Sequence, residues 1–337
     1  MKKKILHIGN KLSQNKSTLT TIETLSALLN DEGFDVTTVS SVQNKFFRLL
    51  DMVFTVYRNR KKIDLVLIDT YSTQNFYYAV IVAKLCRVFK IPYIPILHGG
   101  NLPFRLKNSP KLSNKLFNNA KTNVSPSNYL MEAFKKEGYT NLTYIPNTIE
   151  INNYPFLQRT EIKAKLLWVR SFSEIYNPML AIEIVEKLLD KNIAVELCMI
   201  GPEKDGSLKK CKEIVAQKNL PITFTGLLSK KEWISQSKGF DIFINTTNID
   251  NTPVSVIESM ALGLPVISTN VGGIPYLIEN GKTGILVPPN DTPAFVEEIV
   301  SLFNNPLKAI EISKNARNAV EKFDWEVVKG LWNNVLK

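Results

Sequence analysis

The stretch from Asn245 to Pro275, NTTNIDNTPVSVIESMALGLPVISTNVGGIP, constrains the fold more than any other part of the chain. Its pattern predicts a loop, a helix, a tight turn, a buried strand and a glycine loop. Thr252 can cap a helix that Pro253 begins, because proline in the first helical position loses only an unpaired N–H. We predict that the helix runs from Val254 to Leu262, with Gly263 in the left-handed position that ends it.

Two carboxylates flank the start of this predicted helix. Asp250 lies in the loop before it, and Glu258 lies on it. A helix N-terminus offers amides to a phosphate, and carboxylates accept hydrogen bonds from sugar hydroxyls. Simpler interpretations are that Glu258 is the capping-box partner of Ser255, that Asp250 is a turn residue, and that Gly272-Gly273 merely connects a strand to a helix.

The composition indicates a folded protein with room for two domains. The chain has 337 residues, of which 44% are hydrophobic. Its three cysteines have no metal or redox spacing and are typical of a reducing compartment. The N-terminus has too short an apolar run for a signal peptide, and the longest run, Phe76 to Ala83, is far below the ~20 residues that span a bilayer. We therefore expect a cytoplasmic protein, either free or peripheral at the inner face of a membrane.

The net charge of +11 is concentrated in the first half of the chain. Residues 1–150 contain 21 Lys and Arg against 10 Asp and Glu, whereas residues 151–337 contain 21 of each. Such a basic half favours an anionic partner, which is a membrane surface, an acidic ligand or nucleic acid. The alternative is a merely soluble surface.

The first half predicts a doubly wound α/β sheet. A strand from Lys4 to Gly9, a polar loop, a helix from about Thr20 to Glu32 and a strand from Val36 to Ser40 form its opening unit. Ligands bind such sheets at the carboxyl ends of the strands. The loop after the first strand is not a G-x-G-x-x-G fingerprint, so it gives no support to a dinucleotide.

Two further segments of the first half carry functional signals. Residues 46–62, FFRLLDMVFTVYRNRKK, predict a helix with an apolar stripe and a basic end, which is either an interfacial helix on anionic lipid or a core helix with a solvated end. His98 follows a strand at the crevice edge, where it can donate to a sugar hydroxyl or a developing charge, or can be a core histidine. Arg105 and the lysines after it are candidates for an acceptor-facing surface.

The second half predicts another sheet of the same kind. Residues 149–160 are polar and irregular and suggest a linker, and Arg170 follows the first strand of the new sheet, as a ligand contact or a surface salt bridge. Residues 281–289 suggest a hairpin. The predicted domains are 1–148 and 149–323, with a C-terminal helix over 324–337 that packs back onto the first domain.

With these motifs, the chain resembles a glycosyltransferase of the GT-B fold, family 4 type, which retains anomeric configuration. The specific signature is Asp250, seven residues, Glu258, then A-L-G-L-P-V-I and V-G-G-I-P. Less specific similarities to the family are V-S-P-S ending at Ser127, I-P-N ending at Asn147, and the tryptophan-bearing C-terminal helix. The resemblance covers nearly the full length and implies two Rossmann-like domains that face a cleft.

The resemblance also implies residue roles. Glu258 would accept hydrogen bonds from the ribose of a nucleotide-diphosphate sugar, and amides around Val254 and Ser255 would hold the diphosphate. Arg170 would neutralise the leaving diphosphate, while Asp250 and His98 would contact the donor sugar. Further donor contacts would come from Asn251, Thr252, Gly201, Gly226, Leu227, Asn10 and Lys11. The acceptor side would comprise Gly99, Gly100, Asn101 and Arg105.

The chain departs from the family pattern in three places. The first acidic position, usually Glu, is Asp250. The lysine that usually follows the arginine by about five residues is missing after Arg170, and Lys204, Lys11 or Lys16 are candidates to replace it. The first loop has Asn10-Lys11 where a glycine pair is usual.

The chain has no D-x-D sequence and no cluster with metal-ligand spacing, so we expect a metal-independent reaction that needs no cofactor besides the nucleotide-sugar co-substrate. Same-face attack assisted by the departing phosphate is the favoured mechanism. The leading hypothesis is transfer of a hexose-type sugar to a glycan or lipid-linked acceptor in bacterial surface polysaccharide synthesis. The alternatives are a non-catalytic GT-B scaffold or activator, another GT-B enzyme such as a nucleotide-sugar epimerase, and a nucleic-acid-binding protein.

Overall fold

The structure, a computed structural model, describes residues 2–11 and 20–337. The chain forms two compact units: Met1–Pro146 with Leu331–Lys337, and Asn147–Gly330. The strands are β1 (Lys4–Ile8), β2 (Asp35–Val39), β3 (Leu65–Thr70), β4 (Tyr93–Leu97), β5 (Asn123–Ser125), β6 (Leu142–Tyr144), β7 (Ala164–Val169), β8 (Val195–Ile200), β9 (Ile222–Gly226), β10 (Ile242–Asn245), β11 (Val266–Thr269) and β12 (Ile285–Val287).

The described helices connect these strands. They are α1 (Thr21–Asp31), α2 (Lys45–Asn59), α3 (Asn75–Val88), α4 (Leu102–Asn108), α5 (Pro110–Phe117), α6 (Asn128–Lys136), α7 (Pro178–Asp190), α8 (Ser207–Lys218), α9 (Lys230–Ser237), α10 (Val254–Ala261), α11 (Ile274–Leu277), α12 (Thr292–Asn304), α13 (Pro306–Val320) and α14 (Trp325–Leu336).

The first unit contains a parallel sheet of six strands in the order β2-β1-β3-β4-β5-β6. Every residue of β3 and β4 is buried, as expected for a parallel sheet with helices on both faces. The strand order reverses between β1 and β3. This reversal opens a crevice at the carboxyl edge, where the loops after the strands diverge.

The second unit contains a parallel sheet of six strands in the order β12-β11-β10-β7-β8-β9. Counted from β7, this is the order 3-2-1-4-5-6, and it reverses between β7 and β10. The two sheets confirm the predicted doubly wound α/β architecture. The residues that follow β7 and β10 therefore meet at the switch point of the second sheet.

Two helices begin at side chains that cap their first turn. The Ser127 hydroxyl accepts from the amide of Leu130 at the start of α6. The Asn177 side chain accepts from the amide of Leu180 at the start of α7, where Pro178 occupies the first turn. Each contact satisfies a backbone donor that the helix itself leaves unpaired.

The hairpin predicted over residues 281–289 is wrong. Gly281 closes a tight turn with Gly284, and Ile285–Val287 then pairs in parallel with β11 as the edge strand β12. The glycines of this segment serve a turn that leads into the sheet. The three apolar residues were too short a run to distinguish a parallel strand from one arm of a hairpin.

The segment over residues 149–160 is irregular, as predicted, but it is not a loose linker. Ile149, Ile151 and Tyr154 are buried in the core of the second unit. The guanidinium of Arg159 donates to the backbone oxygens of Phe240, Leu157, Leu262 and Ser237. These contacts make the segment part of the second unit.

Candidate functional site

The switch point of the second sheet holds a largely buried ion pair. Arg170 follows β7 directly, Asp250 lies in the loop after β10, and their side chains form an ion pair in which each is 13% exposed. The guanidinium carbon of Arg170 lies 4.2 Å from the centroid of the Tyr176 ring. Burial lowers the pKa of Arg170, and Tyr176 opposes that change. An arginine remains protonated near neutral pH under such conditions.

The loop that carries Asp250 is held by the glycine pair Gly272-Gly273. The Gly273 amide donates to the Asp250 carbonyl over 3.1 Å. A Cβ atom on Gly272 would lie 2.1 Å from that same carbonyl oxygen, and one on Gly273 would lie 2.1 Å from the oxygen of Asn251. The pair therefore does more than connect a strand to a helix, because any larger residue would displace the acidic loop.

The helix α10 begins at Val254, as predicted, but its N-cap residue differs from the prediction. Pro253, and not Thr252, occupies the N-cap position, and in the described chain no side chain caps this end. The Thr252 carbonyl accepts instead from the side chain of Asn147, the last residue of the I-P-N motif. The Ser255 hydroxyl oxygen is buried without a hydrogen-bond partner among the described residues. Unpaired buried polar atoms of this kind are rare and point to a missing partner.

Five other helices of the second unit differ from α10 in this respect, whereas the short α11 also has no side-chain cap among the described residues. Side chains of Asn177, Ser229, Asp291 and Asn305 accept from the first amides of α7, α9, α12 and α13. At α8 the carboxylate of Glu203 accepts five backbone N–H groups. The pKa of Glu203 stays below its ordinary value although burial acts to raise it, because these amides stabilise the anion. The positive end of the α10 helix dipole is therefore not neutralised by a side chain of the described residues.

Glu258 lies on α10 and is 3% exposed. Its Oε1 atom accepts from the Tyr154 hydroxyl over 2.7 Å and pairs with the ammonium of Lys230. Because Pro253 is the N-cap, the interpretation of Glu258 as the capping-box partner of Ser255 is wrong. Burial raises the pKa of the Tyr154 phenol, and the charge of Glu258 raises it further, so this phenol stays a donor.

The two predicted turns beside the nucleotide base lie at the ends of β8 and β9. The Gly201 amide donates to the Gly226 carbonyl over 2.9 Å, and Leu227 follows half-buried. A Cβ atom on Gly201 would lie 1.8 Å from the carbonyl oxygen of Arg170. Gly201 therefore lets the end of β8 approach the arginine that forms the ion pair. Lys204, the proposed substitute for the missing lysine, is exposed.

In the first unit, one carboxylate binds both histidines of the chain. Asp69 Oδ1 lies 3.1 Å from His7 Nε2 and 2.9 Å from His98 Nε2. His7 Nδ1 reaches the Ser26 hydroxyl, and the His98 ring stacks on Tyr71 at 4.8 Å. Burial acts to raise the pKa of Asp69, but the two histidines hold it well below its ordinary value. His98 is therefore anchored through Nε2 at the carboxyl edge of β4.

The other predicted residues of the first unit have local contacts. Asn10 accepts from Arg48, and the ammonium of Lys11 donates to Thr38. The carbonyl of Gly100 accepts from Tyr129, and the guanidinium of Arg105 donates to the Ser72 carbonyl. Gly99 has a positive φ of 79°, and Asn101 is the N-cap residue of α4. Lys16 lies outside the described residues.

Within the ranges that the structure describes, no group of three or more His, Cys, Asp or Glu side chains is arranged to hold a metal ion. Sequence reasoning missed Tyr154, Lys230, Asp69 and His7 as parts of these sites. Of these four residues, only His7 could have been recognised from the sequence. It is the one histidine besides His98, and it lies on the first strand of the first sheet.

Comparisons with known proteins agree with this geometry. Residues 153–319, which include the whole site of the second unit, match the family described as Glycosyl transferases group 1. The chain is 26% identical over 337 residues to the uncharacterized glycosyltransferase MJ1178 of Methanocaldococcus jannaschii, covering 95% of this chain and 90% of that protein. It is 31% identical over 148 residues to the sulfoquinovosyl transferase SQD2 of Arabidopsis thaliana, covering 43% of this chain and only 28% of that protein.

A third relative is the UDP-Gal:alpha-D-GlcNAc-diphosphoundecaprenol alpha-1,3-galactosyltransferase of Escherichia coli, 23% identical over 80% of this chain and 74% of that protein. Among solved structures, sucrose-phosphate synthase from Thermosynechococcus elongatus superposes with a TM-score of 0.84 at 16% identity, covering 99% of this chain and 98% of that one. Anabaena Alr3699/HepE in complex with UDP-glucose gives a TM-score of 0.74 at 16% identity, with 98% of both chains covered. The solved structures share the GT-B fold of this chain over nearly its whole length, and the sequence relatives include proteins named as glycosyltransferases.

Proposed function

We propose that this protein is a retaining, family 4 type glycosyltransferase that transfers a hexose-type sugar from a nucleotide-diphosphate sugar to a glycan or lipid-linked acceptor. One observation carries the proposal. Among the described residues, no side chain caps the N-terminus of α10 and the Ser255 hydroxyl has no partner, and this end of the helix lies in sequence between Asp250, which pairs with Arg170, and the buried carboxylate of Glu258. This arrangement has groups for a diphosphate and for sugar hydroxyls within one short segment.

The donor would bind through three kinds of contact. The amides of Val254 and Ser255 and the Ser255 hydroxyl would hold the diphosphate at the positive end of α10. Glu258 uses Oε1 for Tyr154 and Lys230, and we assign its Oε2 to the ribose hydroxyls. The base would lie beside Gly226 and Leu227.

Catalysis would consist of stabilising the leaving diphosphate. Arg170 would exchange its contact with Asp250 for the developing phosphate charge, and Asp250 would then be released to a donor-sugar hydroxyl. A fixed charge in a water-poor site contributes more to transition-state stabilisation than the same charge in water. No metal is invoked. The acceptor hydroxyl would attack on the face from which the phosphate departs, so the anomeric configuration is retained.

The relatives support the choice of substrates. The Escherichia coli relative is named for a UDP-galactose donor and a diphosphoundecaprenol acceptor, and other relatives are named for capsular polysaccharide and colanic acid biosynthesis. The HepE chain was solved with UDP-glucose. These names support a nucleotide-sugar donor and a place in surface polysaccharide synthesis.

The test is turnover by the purified protein with a panel of UDP, GDP and ADP sugars and a lipid-diphosphate-linked sugar as the acceptor. We expect one donor to be consumed, with a product whose anomeric proton shows by NMR the configuration of the donor. An inverted product would refute the retaining mechanism. Nucleotide-sugar binding without any turnover across acceptors would instead favour the non-catalytic scaffold.

A matched pair of variants tests the ribose contact. Glu258→Ala is expected to weaken nucleotide-sugar affinity by at least about tenfold, which is ~1.4 kcal/mol. Glu279→Ala removes a carboxylate of the same unit that forms an exposed pair with Lys282, and it should leave affinity unchanged. Equal affinities in the two variants would exclude the assigned role of Glu258.

A further inference from the structure

The helix α2 exposes an aromatic face to solvent. Its five exposed large hydrophobic side chains, called here the α2 face, are Phe46, Phe47, Leu50, Phe54 and Tyr57. Phe46, Phe47 and Phe54 are each at least 60% exposed. Eight of the 18 exposed large hydrophobic residues in the described chain lie on α2 and the neighbouring α3, whereas the others are spread over many elements. Concentration of this kind marks an interaction surface, since single exposed apolar residues are normal.

These side chains are not the core-facing side of α2. That side is formed by Met52 and Val56, which are almost fully buried. Leu50, Phe54 and Tyr57 line an open apolar groove together with Leu85 of α3. The apolar stripe seen in the sequence therefore divides into a narrow buried edge and a broad exposed face.

The surroundings of the α2 face are basic. Residues 45–62 contain six Lys and Arg side chains, of which only Arg48 is buried, and a single acid, Asp51. The guanidinium of Arg60 lies 4.1 Å from the centroid of the Tyr57 ring, so a cation borders the aromatic face directly. Arg58, Lys61 and Lys62 follow at the same end of the helix.

We propose that the α2 face binds an anionic lipid bilayer, with α2 lying in the plane of the interface. Aromatic side chains favour the headgroup region, and nearby Lys and Arg side chains are attracted to anionic lipids. Fifteen residues of helix are roughly 22 Å long, which suits a helix lying on a membrane. No described helix is long and apolar enough to cross a bilayer. The charge of the surface selects lipid over a second copy of this chain, because two such basic surfaces would repel each other. This proposal stands independently of the proposed catalytic function.

Vesicle co-sedimentation tests the proposal. We expect the wild-type protein to bind vesicles with 30% phosphatidylglycerol at least about tenfold more strongly than pure phosphatidylcholine vesicles, since phosphatidylglycerol supplies the negative surface charge. Phe46→Ser/Phe47→Ser/Phe54→Ser should lose at least about tenfold of this binding. Arg58→Gln/Lys61→Gln/Lys62→Gln should lose the preference for the anionic vesicles. Leu307→Ser/Val327→Ser, which changes exposed apolar residues of α13 and α14, should bind as the wild type does.

A second measurement does not depend on the stability of the triple variants. In Phe47→Trp, the added tryptophan should be quenched by brominated phosphatidylglycerol, whereas the added tryptophan of Leu307→Trp should not. Absence of wild-type binding, equal binding of all variants, or equal quenching at the two positions would overturn the proposal. Light scattering that showed a dimer dissociated by the aromatic substitutions, with no vesicle binding, would assign the α2 face to self-association instead.

Discussion

The switch points of the two sheets carry charged groups at equivalent places but arrange them differently. In the first unit, Asp69 lies on β3 itself and accepts from His7 and His98 on both sides. In the second unit, Asp250 lies on a loop five residues beyond β10 and pairs with Arg170. The first arrangement is built into the strands, whereas the second is built from loops that begin where the strands end.

The local backbone shows what this difference means. Gly9 packs so closely on Asp69 that a Cβ atom on Gly9 would lie 2.3 Å from Oδ2. This carboxylate is therefore buried and tightly packed within the first unit. At the second switch point, the acidic loop leads directly into α10, which has no side-chain cap among the residues that the structure describes. The first site thus holds one fixed arrangement that orients His98, and we propose that the groups of the second change partners when a ligand binds.

The largest expected effect comes from removing the arginine of the second switch point. Arg170→Met should lower kcat by about 10²–10³, because a charge aimed at the leaving group is lost. Nucleotide affinity should fall less than kcat. Lys187→Met, which removes an exposed cation of α7, is the control and should change kcat by less than about threefold. A similar small change for Arg170→Met would show that the two switch points do not differ in the proposed way.

The glycine support of the acidic loop gives the next effect. Gly272→Ala should lower the free energy of unfolding by about 3 kcal/mol, because the residue has a positive φ of 54° and its new Cβ atom would meet the Asp250 carbonyl. Gly281→Ala is a matched control with a positive φ of 77° and no atom within 4 Å, and it should cost only about 1 kcal/mol. Urea unfolding measures both. Equal losses would mean that the close approach of Gly272 to the Asp250 carbonyl does not add to the cost of the substitution.

The buried site of the first unit should respond to pH. The pKa of Asp69 is below its ordinary value of 3.8, so its contribution to stability is present above about pH 4 and is lost as the pH falls further. Asp69→Asn should cost about 2 kcal/mol at neutral pH and flatten the loss of stability below pH 4. Asp35→Asn, an exposed position on β2, should leave the wild-type profile unchanged. Wild-type acid sensitivity in Asp69→Asn would contradict the assignment.

The smallest effect concerns the hydrogen bond that orients Glu258. Tyr154→Phe should weaken nucleotide affinity by about fivefold, or ~1 kcal/mol, because Lys230 still holds the carboxylate. In a Glu258→Gln background the same substitution should have much less effect. A double-mutant cycle by calorimetry measures this coupling. Additive losses would show that Tyr154 acts independently of Glu258.

The pattern of the sequence predicted local features well. Alternating apolar strands and helices gave both sheets, and the residues from Asp250 to Gly273 marked the segment that carries the second site. The contacts themselves were not predictable, because they join residues far apart in the chain: Tyr154 with Glu258, and Asp69 with His7 and His98. Likewise, the family resemblance implied separate roles for Arg170 and Asp250, two residues that the fold pairs with each other.

The most direct test of the account is calorimetric titration of UDP, GDP and ADP into wild-type protein and Ser255→Asp. A carboxylate near the first turn of α10 stabilises the helix through its dipole but repels a diphosphate there. We predict that the wild type binds at least one of these nucleotides and that Ser255→Asp loses about a hundredfold in affinity, ~2.7 kcal/mol, with an unchanged or higher Tm. Undiminished binding by Ser255→Asp, or no binding of any nucleotide by the wild type, would contradict the claim that α10 holds the diphosphate.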